Sequence, residues 1–408
     1  MAEVPIPAPA RAILALPDFR NYLAGRFLSS LALQMISVAV GWQVYDLTGD
    51  PLHLGYVGLV QFVPAFLFAL PAGQAADRFE RRIVLLLCLS VLTLAGAALL
   101  VLAFLPRPSL AVLYAVLAVM GAMRAFYQPA SQALTPLVVP DTLLARAVAW
   151  SSSARQVAVI AGPAMGGLFY AFGIEIVYGA ASVLLALSAL FTARLKTRRQ
   201  VRAVLEPGLE GLLVGVRFVL GRKDILGAVS LDLFAVLLGG ATALLPIYAR
   251  DILHVGPEGL GLLRSAPAAG AALMALVLAH HPLTSRAGHK LFAAIATFGI
   301  ATIVFGLSTS FWLSLGALVV LGGSDMVSVV VRQTLVQMRT PDTMRGRVSA
   351  VNTVFIGASN ELGEFESGLT AAWFGIVPAV VIGGLGTLAV AGLWAWRFPA
   401  LRRVDRLT

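Results

Sequence analysis

Only one cysteine, Cys88, occurs in 408 residues, so an intrachain disulfide is impossible and cysteine usage is silent on redox compartment. Charge is scarce too. Asp, Glu, Lys and Arg make up 12% of the chain against 59% hydrophobic residues, and the mean hydropathy is +0.88. A soluble domain must cover itself with polar side chains, and this chain has too few to do so. No Gly-rich phosphate loop, nucleophile elbow or zinc-ligand spacing is present. ATP-driven transport and enzymatic catalysis are therefore disfavoured, and no cofactor or metal is expected. Met1 to Asp18 lacks an apolar core ahead of a small-residue cleavage site, so no cleavable signal peptide is expected.

What the chain has in abundance is long apolar runs. Leu54 to Ala76 and Ile83 to Leu105 carry no charge at all, and at 1.5 Å per residue each spans about 30 Å of hydrocarbon. Similar runs fall at 22–46, 53–76, 83–105, 109–136, 147–172, 175–193, 225–249, 257–282, 289–308, 311–336, 348–373 and 376–396. An all-α integral membrane protein of twelve helices is predicted.

Nearly all of the 30 Lys and Arg residues fall in loops on one side of that topology. Only Arg107 and Arg250 fall on the other, and Arg26, Arg124, Arg155, Arg264 and Arg332 lie within spans. The bias predicts that both termini are cytoplasmic. Basic loops facing anionic lipid also account for the net charge of +10 without a nucleic-acid partner.

The one long connection divides the spans six and six, giving an N-terminal bundle over 1–193, a linker over 194–224 and a C-terminal bundle over 225–408. Leu209, Leu212, Leu213, Val216 and Val219 recur in the linker at helical spacing, which predicts an amphipathic helix on the inner membrane face. A shift of 201 residues lays Pro140-Asp141-Thr142 on Pro341-Asp342-Thr343, Arg146 on Arg347, Gly162 on Gly363 and Gly167 on Gly368. Duplicated six-helix halves are the frame in which carriers build a central site.

Between the second and third runs stands Gly73-Gln-Ala-Ala-Asp77-Arg78-Phe79-Glu80-Arg81-Arg82. This loop resembles the G-x-x-x-D-R-x-G-R-R signature of the major facilitator superfamily, with Glu80 in place of the usual glycine. The resemblance implies two pseudo-symmetric six-helix bundles, and a conformational lock made by Gly73, Asp77, Arg78, Arg81 and Arg82. In it Asp77 meets the start of the eleventh helix, near Arg345 and Arg347, when the inner gate closes. The corresponding loop of the second half, Leu283 to Lys290, has no acid.

Gly162-Pro163-Ala-Met-Gly166-Gly167 in the fifth run resembles the G-P-x-x-G-G antiporter motif of exporters in the same superfamily. Proline bends a helix and glycines admit close neighbours, so ordinary packing is the bland alternative. Further likeness is to the branch that holds the bacterial enterobactin exporters. It rests on Arg26-Phe27 with Ser29, Val38-Ala-Val40, Ala76-Asp77-Arg78, Glu80-Arg81, Gly166-Gly167-Leu168, Thr340-Pro341 and Gly346-Arg347. Arg124 and the acidic run Asn360 to Glu366 depart from that branch.

Asp232, Asp325, Glu361, Glu364 and Glu366 are acids inside predicted spans. Charge in the bilayer is expensive, so each is a functional candidate. By resemblance helices 1, 4, 7 and 10 line the cavity, and Arg26, Arg124, Asp232 and Asp325 fall one on each. The repeat carries Arg124 onto Asp325, which predicts that the two face each other. Simple pairing that holds the halves together is the competing reading, with Arg264 and Arg332 neutralising nearby acids. Glu361 and Glu364 share a helix face, and two such close carboxylates cannot comfortably both ionise, so one could bind and release a proton. Ser359, Gly363 and Ser367 form a stripe read as packing. His280-His281 is an interfacial pair rather than a metal site. Trp42, Tyr45, Phe126, Tyr127 and Phe234 suit an amphipathic cargo or plain packing.

The sequence thus predicts a monomeric inner-membrane exporter of a small organic molecule, with protons and membrane lipids as its other partners. A dedicated siderophore exporter and a non-transporting sensor or assembly factor are the alternatives.

Overall fold

The computed structural model describes residues 10–196, 208–281, 283, 285–341 and 344–405, and no strand occurs among them. The spans are α1 Pro17–Thr48, α2 Pro51–Leu67 continued by Ala69–Arg78, α3 Arg81–Ala103, α4 Leu110–Val138, α5 Leu144–Tyr170, α6 Ile174–Ala193, α7 Lys223–Ile252, α8 Pro257–His280, α9 Ala287–Leu307, α10 Phe311–Arg339, α11 Arg345–Phe374 and α12 Ile376–Arg397. Among the described residues, nine of these are long and apolar enough to cross a membrane by length and composition. The other three differ for visible reasons. α2 is interrupted at Phe68, four residues after Pro64, whose ring deletes a ladder donor. α5 contains Arg146, Arg155 and three consecutive serines, and α11 contains Glu361, Glu364 and Glu366. Those polar residues mark walls that are not built for lipid.

Large apolar side chains point outward from the other spans. Leu94 is 70% exposed and Leu276 61%, exposure that only a hydrocarbon solvent tolerates across so many positions. Trp312, Trp373, Phe172 and Phe104 sit exposed near helix ends at one level, with Trp396 at the other. They form aromatic belts of the kind that mark the two membrane interfaces.

Within the first half α1 packs on α5 and α6, and α3 on α4 and α6; within the second, α10 packs on α8 and α9, and α12 on α7 and α9. The halves meet along two seams, α2 with α11 and α5 with α8. The chain termini lie at one end of the bundle, here called the terminal end. Thr48, Pro51, Tyr170 and Pro257 lie at the far end.

The linker contains the predicted helix, Gly208–Gly221. Its Val219 is buried against Ile225, Val229, Val336, Val348 and Val351, with Val216 beside them. This face docks on the second half; the side chains of Leu209, Leu212 and Leu213 lie outside the described residues. The C-terminal tail is tied down as well. Asp405 and Val404 carbonyls accept from Ala287 and Gly288 N–H at 3.0 and 2.8 Å, satisfying two of the donors that every helix start leaves open.

α7 is not a continuous helix. It stops at Gly239, makes a tight turn over Ala241–Leu244 and ends in a wide turn over Tyr248–Ile252. A Cβ on Gly240 would stand 2.6 Å from the Gly363 carbonyl oxygen, so this break lets α7 lie directly against α11. Ser359 and Ser367 are buried along the same face of α11, and the predicted Ser359, Gly363 and Ser367 stripe is indeed a packing surface. Most of the aromatics pack rather than line a cavity. Trp42 rests on Tyr170, Phe126 on Phe68 and Phe234 on Trp394, leaving Tyr127 as the one of the five that faces the interior space.

Candidate functional site

Between the halves lies a cavity of about 570 Å³. It is lined by α1, α4, α7 and α10, as expected, but also by α2, α5, α8 and α11. Arg26, Arg124, Asp232, Asp325, Glu361 and Glu364 all border it, together with Arg155, Arg264 and Arg332. Deeper positions mix apolar side chains, Leu33, Ile36, Leu117 and Met120, with the Arg264 guanidinium and Glu364, which stand by Gly41 and Gly58. A pocket of apolar wall with a few charged groups suits an amphipathic solute.

The expected pairing of Arg124 with Asp325 is not the one made. Arg124 reaches across the seam to Glu361 on α11, with Nη1 donating to Oε1 at 3.1 Å. Asp325 borders a separate recess with Asp232, Ser324 and Ser328. The repeat places the two residues at equivalent positions in α4 and α10, but equivalent positions need not touch when the nearer acid sits on α11.

Asp232 has its own partner. Arg332 Nη2 lies 3.0 Å from its Oδ2, with side chains 2% and 8% exposed, and Arg332 Nη1 donates to Asn352 Oδ1 at 3.1 Å. One guanidinium therefore ties α7, α10 and α11 together inside the second half. Glu361 and Glu364 face the cavity from adjacent turns of α11, with Arg264 of α8 acting on both. Glu366 does not border the cavity; its carboxylate accepts from Thr370 Oγ1 on its own helix at 2.7 Å.

The far end is sealed by backbone. A Cβ on Gly167 would stand 2.3 Å from the Pro257 carbonyl oxygen, and one on Gly261 would stand 2.5 Å from that of Pro163, so α5 and α8 touch backbone to backbone. Gly162 and Gly166 press equally closely on Gln34 and Met35 of α1. The G-P-x-x-G-G stretch is thus the packing element that seats α5 between α1 and α8. Along the other seam, Gly55 of α2 meets Gly368 and Phe365 of α11, and Tyr56 stacks on Phe365 at 6.1 Å.

A charged clasp closes the same end. Arg250 Nη1 lies 2.7 Å from Asp46 Oδ1, its guanidinium stands 5.7 Å from the Tyr45 ring centre, and the Tyr45 hydroxyl donates to Asp251. Sequence reasoning took Tyr45 for a cavity aromatic and Arg250 for an outer-loop charge and singled out neither Asp46 nor Asp251, because each looks like an ordinary charge or aromatic at the end of a span. The recoverable signal was their place at the ends of α1 and α7, the first helix of each half.

Among the described residues, no comparable glycine seam joins the halves at the terminal end. Gln156 Nε2 donates to the Ala268 carbonyl at 3.0 Å near mid-height. Arg124 is 56% exposed although it sits halfway along α4, and with the far end sealed, water reaches it from the terminal side.

The signature loop lies at that open end. Arg81 Nη1 donates to the Ala133 carbonyl at 2.9 Å, Arg82 Nη2 to that of Ala193 at 2.5 Å, and Arg78 is exposed. Both bonded arginines brace the loop within its own half. A Cβ on Gly73 would meet nothing. The side chains of Asp77, Arg345 and Arg347 lie outside the described residues. His280 bonds only the Leu276 carbonyl one turn back, and no metal-ligand cluster occurs among the described residues.

A family model described as Major Facilitator Superfamily matches residues 22–364. Among curated relatives, an enterobactin exporter, EntS, of Citrobacter koseri is 27% identical over 388 residues, covering 95% of this chain and 93% of the relative. Another from Shigella boydii is 27% identical over 390 residues with the same coverage. Solved structures with a similar fold include a mutant of the nucleoside transporter NupG at TM-score 0.71 and 13% identity, covering 94% of this chain and 99% of that one. An inward-facing bacterial homologue of the iron transporter ferroportin matches at 0.71 and 16%, with the same coverage.

Proposed function

The chain belongs to the major facilitator superfamily, and from that premise we propose that it exports a small organic molecule from a bacterial cytoplasm in exchange for protons, across the inner membrane. The observation that carries this reading is a cavity with acids and arginines facing each other inside it, sealed at the far end and, among the described residues, without a comparable glycine seam at the terminal end. The basic bias of the loops puts the terminal end in the cytoplasm. The conformation is then the one that loads cargo from inside, and the clasp of Tyr45, Asp46, Arg250 and Asp251 is the outer gate.

Glu361 and Glu364 are the coupling residues in this account. Glu361 ionised holds Arg124 across the seam; Glu361 protonated gives up that bond and frees the α4 and α11 walls to part. Because the two acids share a helix face, a proton entering one lowers the cost of charge on the other. Asp77 would close the inner side on the start of α11, whose helix dipole favours an acid there. A narrower reading, in which the cargo is a siderophore such as enterobactin, is favoured by relatives of that name matching over nearly the whole chain.

The test is efflux of a substrate panel from proteoliposomes under an imposed pH gradient. At least one organic solute should move against its own gradient, and a protonophore should stop it. Glu361→Gln and Glu364→Gln should each reduce gradient-driven accumulation to the level of empty vesicles while solute exchange without a gradient continues. Full proton-driven efflux in both single variants and the double variant would place coupling elsewhere. A panel in which nothing moves above empty vesicles would refute the transport reading itself.

A further inference from the structure

The two walls of the cavity carry charge differently. On the second half and its seam every arginine has an acid: Glu361 holds Arg124, Asp232 holds Arg332, and Arg264 lies in the field of Glu361 and Glu364. On the first half they do not. Arg26 Nη1 donates to the Tyr22 hydroxyl at 2.7 Å, and that hydroxyl is already bonded to the Ser131 carbonyl and Thr135 Oγ1. The guanidinium is thus aimed and held by neutral oxygens, with no carboxylate to offset it among the described residues. Arg155 makes neither an ion pair nor a hydrogen bond with any described residue, and is exposed on the cavity wall.

The two arginines share one level. Arg26 lies nine residues into α1 and Arg155 eleven into α5, which places both roughly 14–17 Å from the terminal end of their helices. Both line the same cavity, and the charge of Arg26 acts on Arg155. Two neighbouring cations without a counter-charge, this far into the membrane, are costly unless something negative joins them. Guanidinium groups match planar oxyanions with paired N–H bonds. Around them Gln34 and Gln128 supply neutral polar groups, while Leu33 and Met120 supply apolar surface further in.

We infer that Arg26 and Arg155 form an anion subsite, and that the cargo is an amphipathic organic anion whose carboxylate or similar planar oxyanion docks there with its apolar body towards the sealed end. This inference rests on the transport reading above and names the chemical class of what is carried. It also separates the roles of the two walls, since the acids of α11 serve the proton and the arginines of α1 and α5 serve the cargo.

The test uses the purified full-length chain in detergent and a matched pair of probes, 2-naphthoate and its uncharged amide, 2-naphthamide. Thermal unfolding is followed as each is titrated. The carboxylate should stabilise at least about tenfold more tightly than the amide, the order expected of a charge-assisted contact. Arg155→Gln should remove that preference and Arg155→Lys should keep part of it. Arg26→Gln should act likewise; should it fail to fold through loss of its Tyr22 bond, Arg155→Gln carries the result, because that side chain has no partner to lose. Equal stabilisation by both probes, stabilisation by neither, or a preference that survives Arg155→Gln would overturn the assignment. The proteoliposome panel distinguishes the two failures: transport confined to neutral or cationic solutes sinks the anion subsite alone, whereas no transport sinks the reading beneath it.

Discussion

Arg332→Leu should destabilise the protein by about 3–5 kcal/mol, the range seen when one member of a buried ion pair is removed. Its side chain is 2% exposed and Asp232 is 3.0 Å away, so the variant leaves an uncompensated carboxylate in the interior. Asp325, lining the same cavity, loses the opposite charge that Arg332 supplies as well, and Asn352 loses a donor. Asp232→Leu should be damaging for the converse reason. The double variant Asp232→Leu with Arg332→Leu should recover most of the loss, because two apolar groups need no pairing. Thermal unfolding in detergent measures all three. A double variant no more stable than either single would mean that the residues do not act as a pair, and that each is needed separately by the surrounding helices.

Gly167→Leu should fold but transport at background. A Cβ at that position would stand 2.3 Å from the Pro257 carbonyl oxygen and close to the backbone of Gly261, and a backbone group cannot turn aside as a side chain can. The α5 and α8 seam must then stay apart at the far end. The protein would be held open outward, unable to present its cavity to the cytoplasm. Gly167→Ala, with the same Cβ and nothing beyond it, should retain partial activity if the seam can open by about 1 Å, enough to restore ordinary contact. Normal efflux by Gly167→Leu would show that the seam is not a moving part, and would leave the motif with a packing role only.

The outline of this account was legible in the sequence because the membrane writes it there. Apolar runs must be about as long as the hydrocarbon is thick, so the spans follow from composition, and the basic bias of the loops is what the proposed orientation rests on. Intramembrane charges announce themselves for the same reason, and Arg26, Arg124, Asp232, Asp325, Glu361 and Glu364 all border the cavity. Which charge meets which was not legible. Arg124 and Asp325 correspond through the repeat, but pairing depends on how α11 is rotated about its axis and on the break in α7 at Gly239, neither of which the repeat encodes. Glu366 shows the same limit: it lies two residues from Glu364 and so points away from the cavity, to Thr370. The outer clasp escaped notice because Asp46 and Arg250 come from helices far apart in the chain and only approach once the halves have tilted together.

Alternating exposure of the cavity is the centre of the account, and a distance across the far end tests it most directly. Leu47 and His254 stand at the ends of α1 and α7 beside the clasp, both exposed, and the single native thiol, Cys88, is buried. Spin labels on Leu47→Cys and His254→Cys, in protein reconstituted into lipid, report that distance by pulsed electron resonance. The account predicts two populations, a short one matching the sealed end described here and a longer one, with the balance shifting as pH is changed or cargo is added. A single short distance under every condition would contradict it.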